Sequence, residues 1–328
     1  MLIYGLRRLV VSVPIVFMST FLVFVMVSLS GDPLANLKSR TPPVSPQVIA
    51  VEGRRLHLDH PLLERYAMWL GGIVRGDFGP SVAANERIGP EIVARLGVTL
   101  RLIAAAFVLA LLLAVVAGVI SALKQHTWWD HGLSFLAFVS LAMPSFWFAV
   151  LLKDGGVQLN AAFGRQIFST VGERSVVAPD GVVPRSLDVL GHLVLPTLAL
   201  AIVSFGAWSR YQRASMLDVL TSDYIRLARA KGLSRRRVIV RHALRNALIP
   251  LVTVTALDAA ALLSGAVLVE TVFQWRGMGD YLVVAIKRTD VYAVMAWLVI
   301  AATAVVVFNL VADLLYGMLD PRIRGERR

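Results

Sequence analysis

The chain has 328 residues, 57% of them hydrophobic, with a mean hydropathy of +0.70, only 16% charged residues and a net charge of +12. Soluble domains carry about 45–50% apolar residues, so a soluble fold of this length could not hide the excess; apolar bulk with a concentrated basic surplus suits a bilayer protein with cationic cytoplasmic loops. The absence of cysteine excludes disulfide frameworks, thiolate metal sites and cysteine nucleophiles.

Arg7 and Arg8 precede an apolar run from Leu9 to Ser30. A secretory signal core runs about 7–15 apolar residues, and Ser28-Leu29-Ser30 only loosely resembles a cleavage site. The run contains 14 Leu, Ile, Val or Phe residues, which at about −0.4 kcal/mol each favour membrane insertion by about −6 kcal/mol. A retained first spanning helix is the expectation, with residues 1–30 as its unit.

Residues 31–96 follow as an extracytoplasmic segment. It opens on turn formers (Gly31, Asp32, Pro33, then Thr41-Pro42-Pro43) and continues into a stretch with helical spacing at Leu62, Leu63, Tyr66, Trp69 and Leu70. This pattern predicts a small ordered cap. Its eight basic and seven acidic residues nearly cancel.

The core is expected over 97–320. A spanning helix needs about 20 mostly apolar residues, and five more candidates qualify: Leu102–Leu123, Leu133–Leu152 with a kink at Pro144, a short Leu193–Ser209 starting near Pro196, Ala247–Val269, and Val291–Leu315 with Asn309 and Asp313 near its end. The fold class predicted is therefore all-α, integral to the membrane, with six spans and a cap between the first two. Residues 153–192 read as a second, loop-rich outer segment, and 321–328 as a basic tail.

Lys and Arg placement gives orientation. The connection from Arg210 to Asn246 carries ten basic residues against Asp218 and Asp223 alone, a net of +8. With six spans the N-terminus, this loop and the tail share one side, which should be the cytoplasm.

Within that loop, Tyr224–Pro250 reads as a helix over Ile225–Lys231, a turn at Gly232, and a second helix returning to the membrane. Gly232 suits the positive φ that follows a helix end, and Ser234 suits an N-cap. A basic loop resting on anionic lipid explains the charge but not the order helix–Gly–Ser–helix. A DNA-binding helix-turn-helix matches Ala228, Gly232 and Ser234 weakly, and a loop tied at both ends to spanning helices leaves little room for a duplex. A docking element for a cytoplasmic protein remains as the third reading.

Catalytic motifs are missing. The sequence has no G-x-x-x-x-G-K-[ST], H-E-x-x-H or G-x-S-x-G pattern. The six histidines (57, 60, 126, 131, 192, 242) fall in or beside loops; His57 and His60 have metal-pair spacing, but such a pair on a polar segment is more often simply solvated. Asp258, near the middle of the fifth span, costs about +3 kcal/mol there, while that helix's eleven Leu, Ile and Val residues return about −3 to −6 kcal/mol. Asp258 should therefore face the interior, either lining a translocation path or bonding a neighbouring helix through Thr or Ser. Met143-Pro144-Ser145 reads as a structural kink rather than a gate, Ser145 being able to satisfy a freed carbonyl.

The loop resembles the EAA loop of binding-protein-dependent ABC importer permeases, with Gly232 at the landmark glycine and Ile249-Pro250 at the closing apolar-Pro. The wording ARAKGLS…VIVRHALRNALIP resembles the B-type permease of oligopeptide and dipeptide importers. GDPL near residue 31, LDHPLLERYAMWL, RGDFG, MPSFW at 143–147, HLVLPTLAL at 192–200, VETVFQWRGMGDYL at 269–282 and NLVADLLYGMLDPRIR at 309–324 agree in order. Two departures stand out: the acidic residue of the EAA position is absent (Arg226-Leu227-Ala228), and 153–176 does not match the family's third helix continuation.

The resemblance implies a type I ABC importer permease fold, a second related permease subunit, two ATPase subunits (or one fused ATPase), an extracytoplasmic binding protein, and peptide as cargo. Related importers carry nickel or modified peptides; a self-contained secondary transporter is the rival of a different class. ATP and Mg belong to the partner ATPases, and no cofactor, catalytic residue, metal or nucleic acid is expected for this chain. Tyr224, Ala228, Arg229, Ala230, Lys231, Gly232, Leu233 and Ser234 would form the ATPase-coupling element. His242, Arg245, Asn246 and Pro250 would tie loop to core, unless the basic residues merely anchor a helix end at the interface.

Overall fold

The computed structural model describes residues 2–83, 86–177 and 179–319, with side chains over 13–83, 86–177 and 179–311. The basic tail expected at 321–328 and the side chain of Asp313 lie outside these residues. Among the described residues every regular element is helical. In chain order they are α1 Leu2–Ser30, α2 Ala35–Lys38, α3 Pro46–Arg55, α4 Leu62–Ile73, α5 Ile88–Leu123, α6 Trp128–Ala142, α7 Ser145–Phe163, α8 Val182–Leu220, α9 Asp223–Ala230, α10 Arg235–Arg237, a π-helical stretch Val238–Leu244, α11 Arg245–Phe273, α12 Met278–Lys287 and α13 Val291–Leu319. Five helical stretches are long and apolar enough to cross a membrane, or six if α6 and α7 make one broken span.

That pair differs from the single kinked helix expected over Leu133–Leu152. Its axes diverge by 107°. Met143 (ψ 124°) and Pro144 (ψ 134°) are both extended. Proline disfavours helical conformation in the residue before it, and here the consequence is a break: α6 ends at Ala142 and the Pro144 carbonyl starts α7 by accepting from Trp147 and Phe148 N–H at 3.1 and 3.2 Å. Two further expectations need correction. Residues 153–192, expected as a loop-rich outer segment, are helical over 153–163 and 182–192, since α7 runs on to Phe163 and α8 begins at Val182. The fourth span is far longer than Leu193–Ser209, because Pro196 sits inside α8 rather than at its start.

The described residues divide into two compact units, one comprising Arg101–Trp275 with 308–319, the other Leu2–Leu100 with Arg276–Val307. In the second, the core gathers Phe24, Tyr66, Trp69, Ile92, Tyr281 and Met295. Tyr66 packs edge-on against Phe21 at 5.2 Å and shares a 2.9 Å hydrogen bond with Thr20. Helix α4 forms where its spacing predicts, but its inward face is Arg65, Tyr66 and Trp69, leaving Leu63 and Leu70 exposed. Buried Asp290 accepts from Ser81 Oγ at 2.6 Å and Val82 N–H at 2.8 Å, fixing the loop before α5.

In the first unit α8 is the central element, packed on α6, α7 and α11. Close approach depends on two glycines. A Cβ on Gly206 of α8 would stand 2.7 Å from the Ala137 carbonyl of α6, and one on Gly118 of α5 would stand 2.7 Å from Gln212 Cβ of α8. Small residues at crossings let helix backbones approach where lipid gives no hydrophobic drive. Phe135, Leu112 and Val116 point outward, as befits helices with apolar surroundings.

Candidate functional site

The basic loop is a packed helical structure. Helix α8 runs to Leu220, and Ser222 stands at the N-cap of α9, its Oγ donating to the Val219 carbonyl at 2.6 Å. Asp223 lies in the first turn and Arg229 in the last, each favourably placed on the helix dipole. Apolar residues three apart, Ile225 and Ala228, put one face of α9 onto a buried cluster with Met216, Val238, Ala243 and Ala247. The other face carries Tyr224 and Leu227, 43% and 56% exposed.

The end of α9 is a Schellman motif. Gly232 has φ +75°, its N–H donates to the Arg229 carbonyl at 3.0 Å, and Leu233 N–H reaches the Ala228 carbonyl at 3.4 Å. Only glycine takes this conformation without strain. Ser234 then occupies the N-cap position of α10, as its type predicts, although its side chain makes no capping bond there. The chain continues helically from Arg235 to Phe273. The π-helical stretch Val238–Leu244 lies inside this run.

The coupling residues chosen from sequence thus separate by face. Tyr224, Arg229, Ala230, Lys231, Gly232 and Ser234 are exposed, Leu233 is half-buried, and Ala228 is buried beneath the helix. Leu227, missed in the sequence, belongs with the exposed group; its i+3 spacing from Tyr224 was the available signal. Of the residues expected to join loop to core, Asn246 donates from Nδ2 to Tyr224 Oη at 3.0 Å. His242 is half-buried, while Arg245 and Pro250 are exposed. Next to Asn246, the Ala247 carbonyl accepts from Ser215 Oγ of α8 at 2.9 Å.

Beneath this element lies an ion-paired clamp that sequence reading did not find. Buried Asp130, at the start of α6, accepts from Arg213 of α8 through Nε at 2.8 Å and Nη2 at 2.9 Å. The same carboxylate accepts from Ser121 Oγ of α5 and from His126 N–H at 3.0 Å. Bidentate Arg–carboxylate pairing is directional as well as strong, so three helix ends and the turn between α5 and α6 are held at one point. Pairing between residues 83 positions apart leaves no mark in periodicity or local spacing.

Asp258 of α11 is half-buried and accepts from Trp208 Nε1 of α8 at 2.8 Å. It therefore does bond a neighbouring helix, but through an indole and not the Thr or Ser hydroxyl expected. Trp208 is fully buried and packs edge-on against Phe107 of α5 at 5.2 Å. His57 and His60 hold their rings 6.1 Å apart, with His60 Nδ1 3.1 Å from Glu64; among the described residues no group of three or more His, Cys, Asp or Glu is placed to hold a metal.

Residues 114–325, which contain the clamp, α9 and α11, match the model of the binding-protein-dependent transport system inner membrane component family. The chain belongs to this family. Its relatives extend the match to nearly the whole length. The permease is 41% identical to the oligopeptide transport system permease protein OppB of Mycobacterium tuberculosis over 98% of each chain. It is 37% identical to the oligopeptide transport system permease protein AppB of Bacillus subtilis over 98% of each, and 35% identical to the dipeptide transport system permease protein DppB of Escherichia coli over the full length of both. It is thus a multi-pass membrane subunit of a transporter, not catalytic by itself, of a kind that works with ATPase and substrate-binding proteins.

Proposed function

We propose that this permease forms half of the translocation path of an ATP-driven peptide importer. It pairs with a second, homologous permease subunit, two ATPase subunits (or one fused ATPase) that bind ATP and Mg, and an extracytoplasmic protein that delivers the peptide. Near-full-length identity to oligopeptide and dipeptide permeases supports the cargo class. Both termini and the basic loop lie in the cytoplasm on this reading, by the charge asymmetry of the connections.

The observation that carries the coupling role is the two-faced α9. A lever must be rigid on one side and accessible on the other. Ile225 and Ala228 are locked into the cluster under α8 and α11, while Tyr224 and Leu227 stand outward beside the Schellman turn. An amphipathic helix of this kind is suited to a groove on a partner. Closure of the ATPases would push on α9, and the push would pass through Met216 and Ala247 into α8 and α11, with Asn246–Tyr224 tying the outer edge. The nearby basic residues would steer assembly more than supply affinity.

The test is reconstitution of the whole transporter with its binding protein in liposomes, with Leu227→Glu or Tyr224→Ala. Peptide uptake should fall at least tenfold, with ATPase subunits lost on purification or their hydrolysis no longer stimulated by loaded binding protein. Normal uptake by Leu227→Glu with the ATPases still attached would remove α9 from the coupling path. Peptide uptake by the purified chain alone, driven by an ion gradient, would overturn the importer reading itself.

A further inference from the structure

Under the Schellman turn lies a pocket of about 440 Å³, within the range of small-ligand sites. Its walls are unlike those of the outward face of α9. Leu123 and Leu220 come from the C-terminal ends of α5 and α8, Leu233 from the turn, and Ile239 from the π-helical stretch. Two cations, Arg229 and Arg235, line it as well, and no carboxylate does. Among the described residues neither arginine has an ion pair, whereas neighbouring Arg226 pairs with Asp223.

The pocket also has a defined place along α5. Leu123 is the last residue of the apolar run of α5, and Lys124 follows it at once. The α5 wall of the pocket is therefore the last turn of an apolar helix, next to the first cation that follows it. Aliphatic walls with a pair of guanidinium groups match an amphiphile with an anionic phosphodiester and acyl chains. Guanidinium is the side chain best fitted to phosphate oxygens, and basic pockets between spans on the cytoplasmic side suit anionic lipid heads.

We infer that this pocket is a specific site for one anionic phospholipid, whose phosphate lies between Arg229 and Arg235 and whose chains start along Leu123 and Leu220. The lipid would wedge the loop against the bundle from the membrane side, leaving Tyr224 and Leu227 free outward. This site stands on the pocket itself and not on the coupling role of α9, so either can fail alone.

Native mass spectrometry of the intact transporter, extracted in detergent and supplied with equal phosphatidylglycerol and phosphatidylcholine, reads the site directly. One phosphatidylglycerol should be retained per copy of this chain, and Arg235→Gln with Arg229→Gln should reduce that occupancy at least tenfold. Arg236→Gln, an exposed neighbour that does not line the pocket, should leave it unchanged. Inorganic phosphate at millimolar concentration should not displace the lipid; if it does so fully, the site is one for free phosphate and the inference fails. Equal loss in Arg236→Gln, or equal retention of the two lipids, would reduce the effect to diffuse charge attraction and overturn it. Lipid retained by the permease pair but expelled whenever the ATPases assemble would show that the pocket belongs to a protein partner. Because both arginines are exposed, the variants should keep the wild-type thermal transition, which serves as the folding control.

Discussion

Replacing Asp130 with alanine tests whether α5, α6 and α8 are held at one point. The substitution strips Arg213 of both charge-assisted hydrogen bonds and leaves Ser121 Oγ and His126 N–H without their acceptor. Removing one member of a buried ion pair costs about 3–5 kcal/mol. The Asp130 side chain is only 5% exposed, but Arg213 is 29% exposed and regains water when its partner leaves, so the lower end, about 3 kcal/mol, is the expectation. Asp130→Asn keeps an acceptor for Ser121 and His126 and should cost about half as much. The direct measurement is a double-mutant cycle with Arg213→Met, followed by SDS-titrated unfolding in mixed micelles. A coupling energy above about 1.5 kcal/mol is expected for a close, partly buried charge pair. The same cycle on Asp223 and Arg226, 91% and 72% exposed, should give almost none, because water screens such pairs. A coupling below about 0.5 kcal/mol at Asp130–Arg213 would mean that the carboxylate is held by Ser121 and His126 alone and that no clamp exists.

Other substitutions separate the remaining roles. Gly232→Ala should destabilise the loop by about 1–2 kcal/mol, although nothing lies within 4 Å of the added Cβ. Gly232→Asn should recover part of that loss, and peptide uptake in vesicles should follow the same order. Asp258→Asn should leave assembly and uptake near normal, since its amide oxygen can still accept from Trp208. Asp258→Ala should lower thermal stability by about 1–3 kcal/mol by stranding a buried indole N–H; loss of uptake in the Asn variant with intact assembly would instead place Asp258 on the peptide's path. On α3, the Arg55 guanidinium holds the Glu52 carboxyl below its ordinary value of 4.5, while Arg55 also donates to the Ser81 carbonyl at 2.7 Å. A depressed carboxyl stabilises above its unfolded pKa and loses that contribution as pH falls through the folded value. Protection of α3 and the Ser81 loop against hydrogen exchange, taken relative to the intrinsic rate at each pH, should therefore fall below pH 4.5 in the wild type and not in Glu52→Gln.

What the sequence made legible followed from periodicity and local chemistry. Apolar runs located the spans because bilayer thickness imposes length, and Gly232 was found because a positive φ after a helix selects for it. What stayed hidden was long-range. Pro144 announces a disturbance, but kink and 107° break differ only in whether neighbouring elements stabilise the extended Met143-Pro144 pair. The early start of α8 at Val182 was missed because its first turns are amphipathic and interrupted by Pro184 and Arg185, which a hydropathy window reads as loop. Ala228, grouped from sequence with the coupling element, lies on its buried side, because a motif names residues without saying which side of the helix each occupies.

That division of α9 has a mechanical consequence. A loop tied to the bundle only by its ends would bend under a partner's push and dissipate it. Here the buried side of the helix meets α8 through Met216 and Val219, the C-terminal end of α5 through Val119 and Ala122, and the return helix through Ala243 and Ala247. A rigid displacement of α9 must therefore move these helix ends together. On α5, Ser121, which donates to the clamp carboxylate, stands directly before Ala122 of the cluster, so any motion that spreads the cluster also loads the clamp. The clamp can then do one of two things: yield, letting α6 slide, or hold, turning the push into rotation of α5, α6 and α8 as one body. The bidentate geometry at 2.8 and 2.9 Å favours holding, since both bonds would lengthen together under shear. Disabling it with Asp130→Asn should therefore leave ATP hydrolysis intact while lowering the peptide moved per ATP consumed, whereas loss of Leu227 should lower both together.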